Sequence, residues 1–200
     1  GNARVRETMM NAFFRVADNP LNDPAQEGTL VSSMEPGRLE NAVYAWTAPD
    51  GRAFLFVALE WAPRNEAIAW ANSVVGQERF ADHTTVLVNH AYLYHDNTLY
   101  DWATRGNTQS ANPHRYPMAE LEVVNDGAGM WCKFVNRHPT FEMVFCGHVS
   151  GTQEERMYYD DKAEVGYLRS VGAGGQAVHQ MLFNAQRRGD AFIGVVVVAD

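Results

Sequence analysis

The stretch Arg64–Phe80, RNEAIAWANSVVGQERF, constrains the fold most, because it carries Ile68, Ala71, Val74 and Val75 on one stripe at helical spacing. It is followed by HTTVLVNH (His83–His90), a short apolar run with the look of a buried strand. It is preceded by ENAVYAWTAPDGRAFLFVALE (Glu40–Glu60), which reads as two strands joined at Pro49-Asp50-Gly51. The Asp-Gly pair there supplies the backbone freedom of a tight hairpin. A hairpin feeding a strand-helix-strand unit predicts an α/β protein, since parallel neighbours need a crossover of that length.

The alternation recurs. NDGAGMWCKFVNRH (Asn125–His138) predicts a helix with Asn125 or Asp126 as N-cap, and FEMVFC (Phe141–Cys146) predicts the next strand. Upstream, VRETMMNAFFRV (Val5–Val16) spaces Val5, Met9, Phe13 and Val16 as a helix would, and NPLNDPAQEG (Asn19–Gly28) breaks it with two prolines. After Gly151 the short runs RMYYDD, EVGYLRSV, AVHQMLFNAQ and AFIGVVVV read as antiparallel strands. The segment from Ala91 to Val124 is long for a loop in a compact domain, and its five aromatic residues argue that it is ordered and functional. With 200 residues, 46% of them hydrophobic, the chain can bury a substantial core. We therefore expect one α/β domain over residues 1–200, with a mixed sheet and an antiparallel C-terminal part.

A formal charge of -8 without any Lys/Arg block disfavours a nonspecific nucleic-acid binder. Apolar runs such as VVVV (Val195–Val198) fall far short of a membrane span, and no secretory signal opens the chain. Its first residue is Gly1 rather than methionine, which predicts that an upstream segment, tag or signal has been removed. Cys132 and Cys146 have no zinc-knuckle spacing and are expected to be two buried free thiols.

Among seven histidines, His83, His95 and His138 lie in polar surroundings near element ends, as capping or solvated residues do, and His179 falls inside a strand-like run where neighbouring polar groups would bond it. His90 and His148 differ: each follows directly on a β-run, at the carboxyl edge where open α/β sheets bind ligands. Neutral imidazoles at rigid positions suit a metal site.

The stretches around these two carry a resemblance. GHVSG (Gly147–Gly151) resembles the last motif of the calcineurin-like metallophosphoesterases, usually Gly-His-x-His, and TTVLVNHAYL (Thr84–Leu93) resembles the preceding motif, a strand ending in a lone histidine. FVALEWAPRNEAIAWANSVV, NPHRY, NDGAGMWCKFVNRHPTFEMVFCGHV and GQAVHQMLFNAQ are similar to segments of bacterial members in the same order, so the likeness spans nearly the whole chain. The resemblance implies an α/β/β/α sandwich of two mixed sheets flanked by helices. It also implies a pair of divalent ions (Mn, Fe or Zn) that hydrolyse a phosphomonoester or phosphodiester. Carried over by motif, His90 and His148 bind one ion, and Ser150 stands where a histidine usually helps to bind the other. His114, in NPHRY, is the candidate pocket residue of the long loop.

The family's earlier motifs, Asp-x-His, Gly-Asp and Gly-Asn-His-Asp/Glu, are missing from this sequence. GNARVRETMMNAFF (Gly1–Phe14) matches the helix-forming segment downstream of the last of them, so the chain resembles the C-terminal half of a metallophosphoesterase. The missing half would lie on the same precursor or on another chain. Two functions stay open: part of a phosphoester hydrolase, inactive by itself, or a catalytically inactive binding or structural module built on that fold.

Overall fold

The computed structural model describes residues 5–23, 29–149 and 165–184. The first of these segments holds α1 (Met10–Phe13), one turn long. The predicted helix over Val5–Val16 is thus corrected: Val5, Met9 and Phe13 are each about two-thirds exposed. A stripe with nothing to pack against cannot extend a helix, because short helices are marginal in water without tertiary burial.

β1 (Leu30–Ser33), which the sequence pattern did not suggest, pairs antiparallel with β2 (Ala42–Thr47) through an irregularity between Leu30 and Ser32. β2 and β3 (Ala53–Ala58) form the expected hairpin, in register from Ala42↔Ala58 to Thr47↔Ala53. In its turn Gly51 takes φ +92, the left-handed region that favours glycine, while its N–H donates to the Ala48 carbonyl at 2.8 Å. α2 (Asn65–Val75) buries Ile68, Ala71, Val74 and Val75, the stripe read from the sequence, and leads into β4 (Thr84–Val88), parallel to β3.

The segment after β4 contains α3 (Trp102–Arg105) and several 3-10 turns, and its order comes from within. Tyr92, Leu93 and Tyr100 are fully buried, and the buried Gln109 amide donates to the Leu99 carbonyl at 2.8 Å and accepts from the Asp101 N–H at 2.7 Å. α4 (Gly127–Lys133) follows, with Asp126 as N-cap accepting from the Gly129 N–H at 3.0 Å. Its first residue must be glycine, since a Cβ on Gly127 would lie 2.0 Å from the Tyr92 carbonyl oxygen. That contact presses the helix against the chain leaving β4.

β5 (Phe141–Cys146), β6 (Val165–Val171) and β7 (Ala177–Phe183) complete one seven-stranded mixed sheet in the order β1-β2-β3-β4-β5-β7-β6. β6 and β7 are antiparallel to each other, as read, but β7 joins β5 in parallel. The runs RMYYDD and AFIGVVVV lie outside the described residues, and the described residues form a single sheet.

The two sheet faces are distinct. On one, Val43, Leu55, Val57, Leu87, Val144 and Leu182 share a core with Ile68, Val74 and Val75 of α2 and Met130 and Phe134 at α4. On the other, Phe54, Val86 and Met143 cluster with Phe56, Phe145 and Met181, all strand residues, and with Ala48 of the hairpin turn. No helix among the described residues is long and apolar enough to cross a membrane.

Candidate metal centre

Parallel pairing brings the carboxyl ends of β3, β4 and β5 to one edge, and the ladder continues past the strands. The Asn89 N–H donates to the Phe145 carbonyl and the Gly147 N–H donates to the His90 carbonyl, each at 3.0 Å. Asn89 is the staple of this edge. Its side-chain amide donates to the Leu59 and Glu60 carbonyls at 3.2 and 3.0 Å, and its oxygen accepts from the Ala91 N–H at 3.1 Å. An asparagine at a strand end was the sequence signal for this role.

The structure brings His90 and His148 together, their ring centroids 4.8 Å apart and their planes at 68°. His148 is held from three sides. Its backbone adopts φ +79, a strained conformation for a non-glycine residue. Its Nε2 lies 2.9 Å from the Ala111 carbonyl, and Ala111 is itself left-handed at φ +56. The Tyr116 hydroxyl stands 3.4 Å from the same nitrogen, and the Trp61 ring packs 6.0 Å from the imidazole. A carbonyl can only accept, so Nε2 carries the proton and Nδ1 keeps the lone pair.

Burial is the main cause that lowers the pKa of both rings. For His90, burial and then the neighbouring His148 push it down to about 4, although its outer edge is open to solvent, which screens part of that effect. For His148, burial lowers it and the bond to Ala111 partly opposes the shift. Both imidazoles are therefore neutral at pH 7, the form that ligates metals.

The edge opens on a cavity of about 1020 Å³ whose wall includes His90, Asn89, Trp61 and Gly147. Beside it the Glu60 carboxylate, buried at the end of β3, pairs with Arg6 at 3.1 Å and Arg64 at 3.3 Å and accepts from the Asn41 amide at 3.0 Å. Arg6 also donates to the Trp61 and Ala62 carbonyls, each at 2.9 Å, which ties the N-terminal segment across the cavity rim.

Other candidates lie elsewhere. His114 stacks on Trp102 with centroids 5.8 Å apart, and its Nε2 is 3.8 Å from Asp126, so it packs the long loop against the start of α4 and is not part of the cavity wall. His179 sits in β7 with its Nδ1 2.6 Å from the Tyr167 hydroxyl, a sheet histidine bonded to its neighbour. His138 bonds Asn72 Oδ1 at 2.8 Å. Ser150 lies outside the described residues. Cys146 is a buried free thiol; Cys132 is free but exposed on α4, which corrects the expectation that both are buried.

Two neutral imidazoles at this separation suit a borderline divalent cation. Among the described residues, however, no group of three His, Cys, Asp or Glu can enclose one. Two imidazoles alone would leave most of a coordination sphere unfilled. No protein-family model matches this sequence, and the searches of curated proteins and of solved structures returned no match either.

Proposed function

We propose that this chain supplies one half of the metal centre of a calcineurin-like metallophosphoesterase, the C-terminal half, with His90 and His148 as ligands to one divalent ion. The observation that supports it most is the convergence of two neutral imidazoles, from the ends of two different strands, at one carboxyl edge, with His90 in the wall of a cavity. When bound, a divalent cation polarises the phosphoryl oxygens and acidifies a water for attack on phosphorus.

The chain's own residues do the positioning. Asn89 and the extended β4/β5 ladder fix the two histidine backbones, while Ala111 and Tyr116 hold His148 with Nδ1 presented as its donor. Trp61 meets the His148 ring edge-on, with centroids 6.0 Å apart. In this reading the remaining ligands, carboxylates above all, come from polypeptide outside these 200 residues, on the same precursor or on a second chain, and the cavity receives the phosphoester. The fold would then be a two-sheet sandwich, its second sheet on the strand face around Phe54, Val86 and Met143 and the next row, Ala58, Val88 and Phe145, left to line the cavity at the edge.

Zinc binding tests it. We expect calorimetry to find one weak site in the chain that disappears in both His90→Ala and His148→Ala. Unchanged binding in the two variants would refute the assignment. Hydrolysis of an activated aryl phosphodiester with excess Mn²⁺ should be negligible, and turnover at an ordinary enzymatic rate would mean that the missing ligands lie within this sequence.

A second reading, an inactive binding module on the same fold, is favoured by the absence of a three-ligand group among the described residues. Its signature is a chain that binds no zinc yet still takes a ligand in the cavity.

A further inference from the structure

The charged groups of the cavity wall are already paired with one another. Arg6 and Arg64 share Glu60, Arg64 also meets Glu35, and Arg38 lies 3.2 Å from Glu40, which Asn11 also bonds. An ion in the cavity would have to break these pairs to use them. The remaining titratable groups of the wall are Glu7, which is exposed, the buried Cys146 thiol, and His90, whose ring packs on His148.

Apart from Thr8 and Asn89 the rest of the wall is apolar, and the register of the sheet gives it a shape. Ala58, Val88 and Phe145 stand directly opposite one another on neighbouring strands, and Phe183 lies one side-chain row further on in β7. Four strands at the usual spacing make a floor about 14 Å long. Val88 and Phe183 are each nearly half exposed on it, at 45% and 47%. His90 lies two residues beyond Val88, so a polar group flanks the track at its β4 position, with Phe145 and then Phe183 leading away from it.

We propose that the cavity binds an amphiphilic phosphoester, its phosphate at His90 and a linear apolar group running from Val88 past Phe145 to Phe183. The phosphate end rests on the metal-site reading above; the apolar track does not. A cavity of this volume is at the upper end for a small ligand, and water leaving the exposed Val88 and Phe183 side chains drives the apolar group in.

Calorimetric titration with hexyl, octyl and decyl phosphate, below their micelle concentrations, tests the track. Affinity should rise about fourfold for each methylene buried, and inorganic phosphate should not bind measurably. Val88→Asp and Phe183→Asp, at positions open enough to tolerate a carboxylate, should abolish the dependence on chain length while the circular dichroism stays native. His90→Gln should weaken all esters by the same factor and leave the chain-length slope intact.

Sedimentation with phosphatidylcholine vesicles containing phosphatidic acid identifies the source. Binding to them points to a membrane lipid, binding only to the dissolved esters points to a soluble one, and either supports the track. An affinity that ignores chain length overturns the proposal, as does a slope that survives both Asp substitutions. So does a lack of binding by all esters together with dimerisation that Val88→Asp abolishes, because a second copy would then occupy the face. Zinc titration of the same proteins separates the two claims: loss of zinc binding with an intact slope removes the metal-site reading alone, and zinc binding without a slope removes the track alone.

Discussion

The two faces of the sheet are built from equally apolar strands, yet they meet different surroundings. On the helix face, residues such as Leu55, Val57, Leu87 and Val144 are fully buried in the core they share with α2 and α4. On the opposite face Phe54, Val86 and Met143 are buried among strand side chains, while Trp46, Val88 and Phe183 stay close to half exposed. A strand whose side chains are apolar on both sides is the pattern of a sheet covered on both faces. The helix face is finished by local sequence, since the crossovers that make β3, β4 and β5 parallel also carry the covering helices. The other face depends on groups that the crossovers do not supply, and the candidate site lies at its edge.

The sharpest way to break this contrast is to truncate one aromatic on each face. Phe141, fully buried against Phe134 at 4.9 Å, should cost about 3–5 kcal/mol as Phe141→Ala, whereas Trp46→Ala should cost about 1 kcal/mol or less in urea unfolding. Equal losses would mean that the second face is as firmly packed as the first.

The edge between the faces comes next. Asn89→Ala removes three hydrogen bonds and leaves the buried Leu59 and Glu60 carbonyls without that partner, so stability should fall by about 2–3 kcal/mol and zinc affinity should fall with it. Unchanged zinc binding at reduced stability would confine Asn89 to the fold.

A smaller effect is acid sensitivity. His138, on the helix face, is held below the ordinary histidine value of 6.5 by burial and then by Arg137, so the folded state takes up its proton less readily than the unfolded chain. Its contribution is complete above pH 6.5 and is lost as the pH falls below that value, because the unfolded state then binds more protons. His138→Gln should flatten the decline in melting temperature between neutral and mildly acidic pH, and an unchanged slope would assign the decline to other groups, His90 first among them.

The smallest change should come from Cys132→Ser on the exposed side of α4, within about 0.5 kcal/mol of the parent. In the native protein a thiol reagent should modify Cys132 at once and Cys146 only on unfolding, since burial pushes the Cys146 thiol up to about 12. Rapid modification of both would show that the core opens beside β5.

Much of the helix face was legible in the residues themselves. The α2 stripe, the Asp-Gly hairpin and the ends of β4 and β5 follow from local periodicity and turn chemistry, which act over a few residues. β1 was not legible, because Leu30–Ser33 has too little pattern of its own and becomes a strand by pairing with β2. The helix expected over Val5–Val16 failed for the converse reason: periodicity without a partner surface leaves Val5, Met9 and Phe13 in solvent.

Sequence alone determined that two histidines would follow two strands of an α/β sheet, since strand ends are marked where an apolar run meets a polar residue. Only the tertiary structure decided that their rings would meet, that Asn89 would staple the edge, and that the Ala111 carbonyl, in a loop 37 residues upstream of His148, would accept the hydrogen bond of its Nε2–H. Ring contact depends on which strands are neighbours, and the tautomer depends on a carbonyl reached only through the path of a long loop. Neither distance nor backbone strain of that kind leaves a local trace, because the energy that maintains them comes from packing elsewhere in the molecule.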